Sequence, residues 1–407
     1  MNRKIFGGDV TEDNSNGSEG RQQDRLGVRN MGEPIRLAEI NFAGISAGAA
    51  RGGDTVEIWT RLSLSSDESL FQKIIGNIAA AIEHSARLSG THCSLNRANT
   101  VLLVIRPDNS GELWIDTAAM CNYSTLKRPG PLQAGTVLFE NDIADVTGIW
   151  FPLVEIGPKD RILCLFREGW RFGLFFDFNP DGDLAIEDAK RALAALYRKM
   201  RYADLYTALA HQPTFGGLVA AGWFPFLELM SGEFRTLLES HDAGFELDDP
   251  ERALLEKFDE ARLDRMFARW LQNSHLKARE TILGSAIRAF KAKDPVSVIK
   301  NVLSEIEGIM SDAYFQEKSE RTHRIDKLLA FIISFAEQKV GGEDTLFFPV
   351  AFGKYLRDYT YAGFHPGDVG RAGSRHAVSH GAVASDQYTM TRALQAILTL
   401  DQIGFYI

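Results

Sequence analysis

Near Tyr202 the apolar residues of this chain change their period. Upstream, runs such as Leu37-Ala38-Glu39-Ile40-Asn41-Phe42 and Val56-Glu57-Ile58-Trp59-Thr60 alternate apolar and polar residues, the pattern of a half-buried strand. Further strands are expected over residues 100–105, 112–115, 136–139, 161–166 and 171–178. A helix is expected to begin at Ser65, with Glu68 completing a capping box and Leu70, Ile74, Ile78 and Ile82 at helical spacing. A second helix, over 186–200, closes the region. Strands in runs with inserted helices imply a largely antiparallel α+β domain over residues 35–205, whose ligand or protein partner the sequence does not reveal.

Downstream of Tyr202 the period is helical. Leu263, Met266, Phe267, Trp270 and Leu271 form one apolar stripe, and Ile299, Val302, Leu303, Ile306 and Met310 a second. Ile325, Leu328, Leu329, Ile332 and Ala336 form a third, and Leu394, Ile397 and Leu398 line the last. The fold class is therefore α+β, with an all-helical C-terminal part divided into a connecting region, 206–293, and a final bundle, 294–407. Residues 1–34 have almost no apolar periodicity and are expected to form a mobile tail, because they cannot offset the entropy of ordering.

With 407 residues, 45% of them apolar, the chain can bury a sizeable core. A net charge of −9 argues against wholesale coating of nucleic acid, so any RNA contact must be local. Residues 351–392 depart in sign, with Lys354, Arg357, Arg371, Arg375 and Arg392 against Asp358, Asp368 and Asp386. Cys93, Cys121 and Cys164 lack metal-ligand or disulfide-framework spacing and read as small buried thiols in a reducing compartment. With no long apolar run and no basic-then-apolar leader, the expectation is a cytoplasmic protein with no membrane span.

Two motif matches fail on context. Gly44-Ile45-Ser46-Ala47-Gly48 matches the G-x-S-x-G nucleophile elbow, but Ala49-Ala50-Arg51-Gly52-Gly53-Asp54 is poor material for the helix that an elbow needs. The stretch from Asp177 through Asp181 and Asp183 to Asp188 imitates a calcium loop, but strand-like residues enter it and the final glutamate is missing. It reads as a Pro-Asp-Gly turn before a helix.

The stretch whose composition suggests chemistry is Ser374-Arg375-His376-Ala377-Val378-Ser379-His380-Gly381, directly after a loop carrying Gly363, Gly367, Gly370 and Gly373. Arginine grips phosphate oxygens with a permanent charge, and imidazole exchanges protons around neutral pH. On an ideal helix Arg375 and His380 lie about 140° apart, whereas His376 and His380 lie about 40° apart. Arg375 must wrap round, the helix must be irregular near Gly381, or a second subunit must complete the site.

Arg375, the polar His376 beside it, three further residues and His380 resemble the R-x4-6-H motif of the HEPN superfamily, with Ser374 where one variant has asparagine. The resemblance covers only the C-terminal helical part. It implies a metal-independent endoribonuclease, without cofactor or metal, that cleaves RNA by 2′-hydroxyl attack. His380 would transfer the proton, Arg375 would hold the phosphate, and His376 would support them. It also implies a homodimer through the helical domain and a defence or toxin effector role.

A structural reading competes. A histidine before glycine often ends a helix, and Glu305 or Glu307 offers Arg375 an ion-pair partner. The alternative function is then a non-catalytic binding module. His376 and His380 also have the i, i+4 spacing of zinc ligands, but Ala377 replaces the catalytic glutamate of H-E-x-x-H and no third ligand is evident. No P-loop or G-x-G-x-x-G pattern occurs.

Overall fold

A computed structural model describes residues 32–46, 48–179, 182–230, 232–340, 344–363 and 370–407. Most of the expected tail, Ala47, Asp181 and the loop residues 364–369 lie outside these. The strands are β1 (Ile35–Leu37), β2 (Ile45–Ser46), β3 (Ile58–Trp59), β4 (Arg61–Ser65), β5 (Thr100–Ile105), β6 (Gly111–Ile115), β7 (Cys121–Leu126), β8 (Ile143–Trp150), β9 (Arg161–Glu168) and β10 (Arg171–Asp177). Helix α1 (Ser69–Leu88) follows β4, and α2 (Ile186–Arg201) follows β10.

Six strands make one antiparallel sheet in the order β1-β6-β5-β9-β10-β4. Its centre, β5, is a continuous apolar run because both faces are covered. Val101, Leu103 and Ile105 face the core containing Ile74, Ile78 and Ile82 of α1, while Leu102 and Val104 face the core containing Leu193 and Leu196 of α2. The expected strand at 136–139 does not form. Those residues belong to the connection between β7 and β8, which pair with each other, and Phe139 is 69% exposed. Strand β7 escaped the sequence reading because CNYSTL has no buried residue to set a period.

Three other expectations need local correction. Of the alternation from Leu37 to Phe42 only Leu37 lies in a ladder, at the end of β1 (Ile35–Leu37), and that from Val56 to Thr60 forms one only over Ile58–Trp59. Helix α1 starts at Ser69 rather than Ser65, which ends β4 opposite Gly173; Glu68 still accepts the Ser65 N–H at 2.8 Å, so half of the capping box is present. Of the thiols, Cys164 is buried, Cys93 is half-buried and Cys121 is exposed on β7; all three are free.

The helical half contains α3 (Ala203–Ala210), α4 (Gln212–Ala220), α5 (Glu233–Asp242), α6 (Asp248–Lys257), α7 (Glu260–Trp270), α8 (Ser274–Lys277) and α9 (Glu280–Lys291). It continues with α10 (Pro295–Lys318), α11 (Ile325–Val340), α12 (Pro349–Tyr355), α13 (Arg375–Ser379) and α14 (Met390–Tyr406). One apolar core runs from Leu205 to Tyr406, so residues 206–293 and 294–407 pack as a single body. Helix α14 is its axis, buried on every side from Ala393 to Ile403. None of the helices among the described residues is long and apolar enough to cross a membrane.

The two halves are latched through α2 and β8. Arg198 of α2 donates to the carbonyls of Val146 and Asp344 and lies 3.8 Å from the fully buried Asp145 carboxylate. Thr345 also donates to Asp145. Burial pushes the Asp145 carboxyl above the usual aspartate range, and the Arg198 charge opposes that shift. Removing one member of a buried pair typically costs roughly 3–5 kcal/mol, because it strands the other. Arg198→Met is therefore expected to destabilise by about that amount, with Asp145→Asn/Arg198→Met costing less than the sum of the single changes. Urea unfolding of the four proteins checks this, and additive losses would contradict it.

Candidate functional site

The Arg375 segment forms a closed strap. Ser374 caps α13, its Oγ accepting the Ala377 N–H at 3.3 Å and donating to the Ala362 carbonyl at 2.7 Å. At the other end His380 is the C-cap and Gly381 takes the left-handed conformation, φ 66°. Gly381 N–H donates to the Val378 carbonyl at 3.2 Å and Ala382 N–H to the Ala377 carbonyl at 3.0 Å, which closes the helix in a Schellman motif. Gly370 N–H then donates to the Ala382 carbonyl at 3.0 Å, tying the entry of the strap to its exit. Gly373 has no room for a side chain, since a Cβ there would lie 2.2 Å from the Tyr359 ring.

The three predicted site residues are held differently. Arg375 Nη2 lies 2.8 Å from Glu307 Oε2 on α10, with its side chain 26% exposed. Glu305, the other partner considered, is paired with Arg279 at 3.0 Å. The His376 ring meets Tyr361 edge-on, centroids 6.2 Å apart. Tyr361 is buried, and desolvation raises its phenol well above the ordinary value. His380 is exposed at the end of the helix. Four cavities among the described residues are lined by other parts of the chain.

The two sequence imitations resolve simply. Ser46 lies on β2, paired with Ile58 of β3, and donates to the Gly48 carbonyl at 2.7 Å, so no helix follows it as an elbow requires. In the calcium-like loop Asp177 is bound to Arg61, Asp183 to Lys159 and Asp188 to Arg191, so these carboxylates go to separate cations.

A buried charge lattice, unread in the sequence, lies where the β7–β8 connection meets α7 and α14. Arg262 is bidentate to Glu233, both distances 2.8 Å, and donates to Glu228 at 3.1 Å. Arg269 donates to Glu228 at 3.0 Å, to Asp401 at 2.8 and 2.9 Å, and to the Lys127 carbonyl at 3.0 Å. Trp270 Nε1 also donates to Asp401, at 2.6 Å. The buried Lys127 ammonium donates to the Leu227 carbonyl at 3.0 Å. The spacing of Arg262, Arg265 and Arg269, opposite the stripe Leu263, Met266 and Trp270, was a legible signal; the carboxylates come from remote segments.

Burial pulls the Lys127 ammonium below the ordinary lysine value, against the attraction of Glu228. Burial alone would raise the Glu228 carboxyl, but Arg269, Arg262 and Lys127 outweigh it and hold the group below the ordinary glutamate value. Burial raises Asp401 despite Arg269. Against protein-family models, curated proteins and solved structures, the chain finds no match.

Linkage follows from these directions. A carboxyl depressed in the folded state contributes stability that is present above its unfolded pKa and lost as pH falls through the folded one; the raised Asp401 acts in the opposite sense. Glu228→Gln is expected to cost roughly 1–3 kcal/mol at neutral pH, because Arg262 and Arg269 each lose one of two carboxylate partners while keeping Glu233 and Asp401. Its stability should also fall less steeply than the native protein's below the ordinary glutamate pKa. Denaturant titrations across acid pH measure both, and parallel acid limbs would contradict the assignment.

Proposed function

We propose that this chain is a non-catalytic binding module whose Arg375-to-His380 segment is structural. The observation that carries this reading is the Arg375–Glu307 pair. A guanidinium already compensated by a carboxylate offers little charge to a phosphorane-like transition state, because catalysis needs donors aimed where charge develops. The capping by Ser374 and the closure at Gly381 explain the remaining residues of the motif without chemistry.

The basic surplus of the region is also largely consumed within the fold. Lys354 pairs with Asp358, Arg375 with Glu307, and Arg392 donates to the Ala221 carbonyl at 2.6 Å, the Tyr359 hydroxyl and Gln395.

A second reading, the endoribonuclease of a HEPN-like homodimer, draws on the exposure of His380. In it, a second copy would bring another imidazole to the partly exposed Arg375, and RNA would be cleaved without metal or cofactor. Incubating purified protein with labelled RNA and EDTA separates the two. The binding-module reading expects intact RNA at all protein concentrations and Arg375→Ala destabilised by roughly 1–3 kcal/mol through the orphaned Glu307. Products ending in 2′,3′-cyclic phosphate, lost in folded His380→Ala and Arg375→Ala, would establish the ribonuclease instead.

A further inference from the structure

We infer that the cleft of about 700 Å³ between the β7–β8 connection and helices α6 and α7 binds a nucleotide, its phosphates on Arg128, Lys257 and Arg265 and its base on Phe139. The inference rests on the binding-module reading and names the ligand class. The size falls within the usual range for small-molecule sites, and the position between two packed halves is a common one for them.

The charges are sorted by depth. On the floor, the Glu228 and Glu233 carboxylates are occupied by Arg262 and Arg269. Of the other acids lining the cleft, Asp142 accepts the Phe139 N–H at 2.9 Å and Asp259 caps α7 by accepting the Arg262 N–H at 2.7 Å. At the mouth, Arg128, Lys257 and Arg265 are exposed and have no ion-pair partner among the described residues. The open face of the cleft is therefore cationic although the chain is acidic overall.

Two further observations point to a ligand. Lys127 lines the cleft, is only 5% exposed, and among the described residues its ammonium has one hydrogen-bond acceptor, the Leu227 carbonyl, for three N–H groups. A phosphate oxygen would satisfy a buried cation of this kind. Phe139 lines the same cleft with most of its ring open to solvent. An exposed aromatic beside unpaired cations is the arrangement on which a base stacks while its phosphates are held electrostatically.

Calorimetric titration of the full chain with ATP and GTP, without divalent metal, tests this, with adenosine, inorganic triphosphate and a single-stranded oligonucleotide as comparison ligands. A nucleotide should bind more tightly than adenosine or triphosphate. Lys257→Ala/Arg265→Ala, both on the surface, should weaken binding about tenfold or more, and Phe139→Ala roughly five- to hundredfold. No nucleotide binding up to about 1 mM, or binding unchanged in the surface variants, would overturn the inference. Triphosphate binding as tightly as ATP would replace the nucleotide with a bare polyanion, and much tighter oligonucleotide binding would replace it with nucleic acid. RNA cleavage would sink the binding-module reading without bearing on this titration, so the two fail separately.

Discussion

Arg269 gathers three remote parts of the chain at one guanidinium: the Lys127 carbonyl at the start of the β7–β8 connection, Glu228 before α5, and Asp401 in the C-terminal half of the buried helix α14. Desolvating these charges is costly, and the lattice is tolerable only because each carboxylate meets a cation at hydrogen-bond distance. The rest of the architecture depends on that balance. Helix α14 can carry Asp401 through the core only where Arg269 and Trp270 reach it, which fixes how α7 lies against α14. Its other buried polar groups are satisfied likewise, Gln395 by the Ala221 carbonyl and Tyr359, and Gln402 by the Leu227 N–H and Phe347 carbonyl.

The same lattice shapes the cleft. Because Arg262 and Arg269 neutralise the acids of the floor, the three exposed cations at the mouth outnumber the two remaining carboxylates of the cleft, Asp142 and Asp259. The Arg375 strap shows the reverse arrangement, with its guanidinium facing a carboxylate inside the fold. Two arginine-bearing segments thus differ in how their charges are paired, a distinction that composition alone does not carry.

Sequence patterning located what depends on local period. The helical stripes of α7, α10, α11 and α14 lie in the core or pack against it, Leu271 beyond the end of α7 excepted, and β5, β9, β10 and α2 lie within a residue or two of their expected bounds. Strand β7 was illegible because its side chains are not sorted by burial, and the alternation at 136–139 belongs to a loop with no partner strand. At the motif, the helix end at His380 and the Glu307 partner were both readable as the structural alternative. The charge lattice was not, since pairing Lys127, Glu228, Arg269 and Asp401 requires the tertiary fold.

The interface cleft is the proposed ligand site, and the strap is proposed to be structural. Amide hydrogen exchange with and without saturating nucleotide distinguishes the two regions within one experiment. Slowed exchange across residues 127–142 and 257–269, with residues 370–383 unchanged, is the predicted result. Protection confined to 370–383, with the cleft segments unaffected, would contradict it.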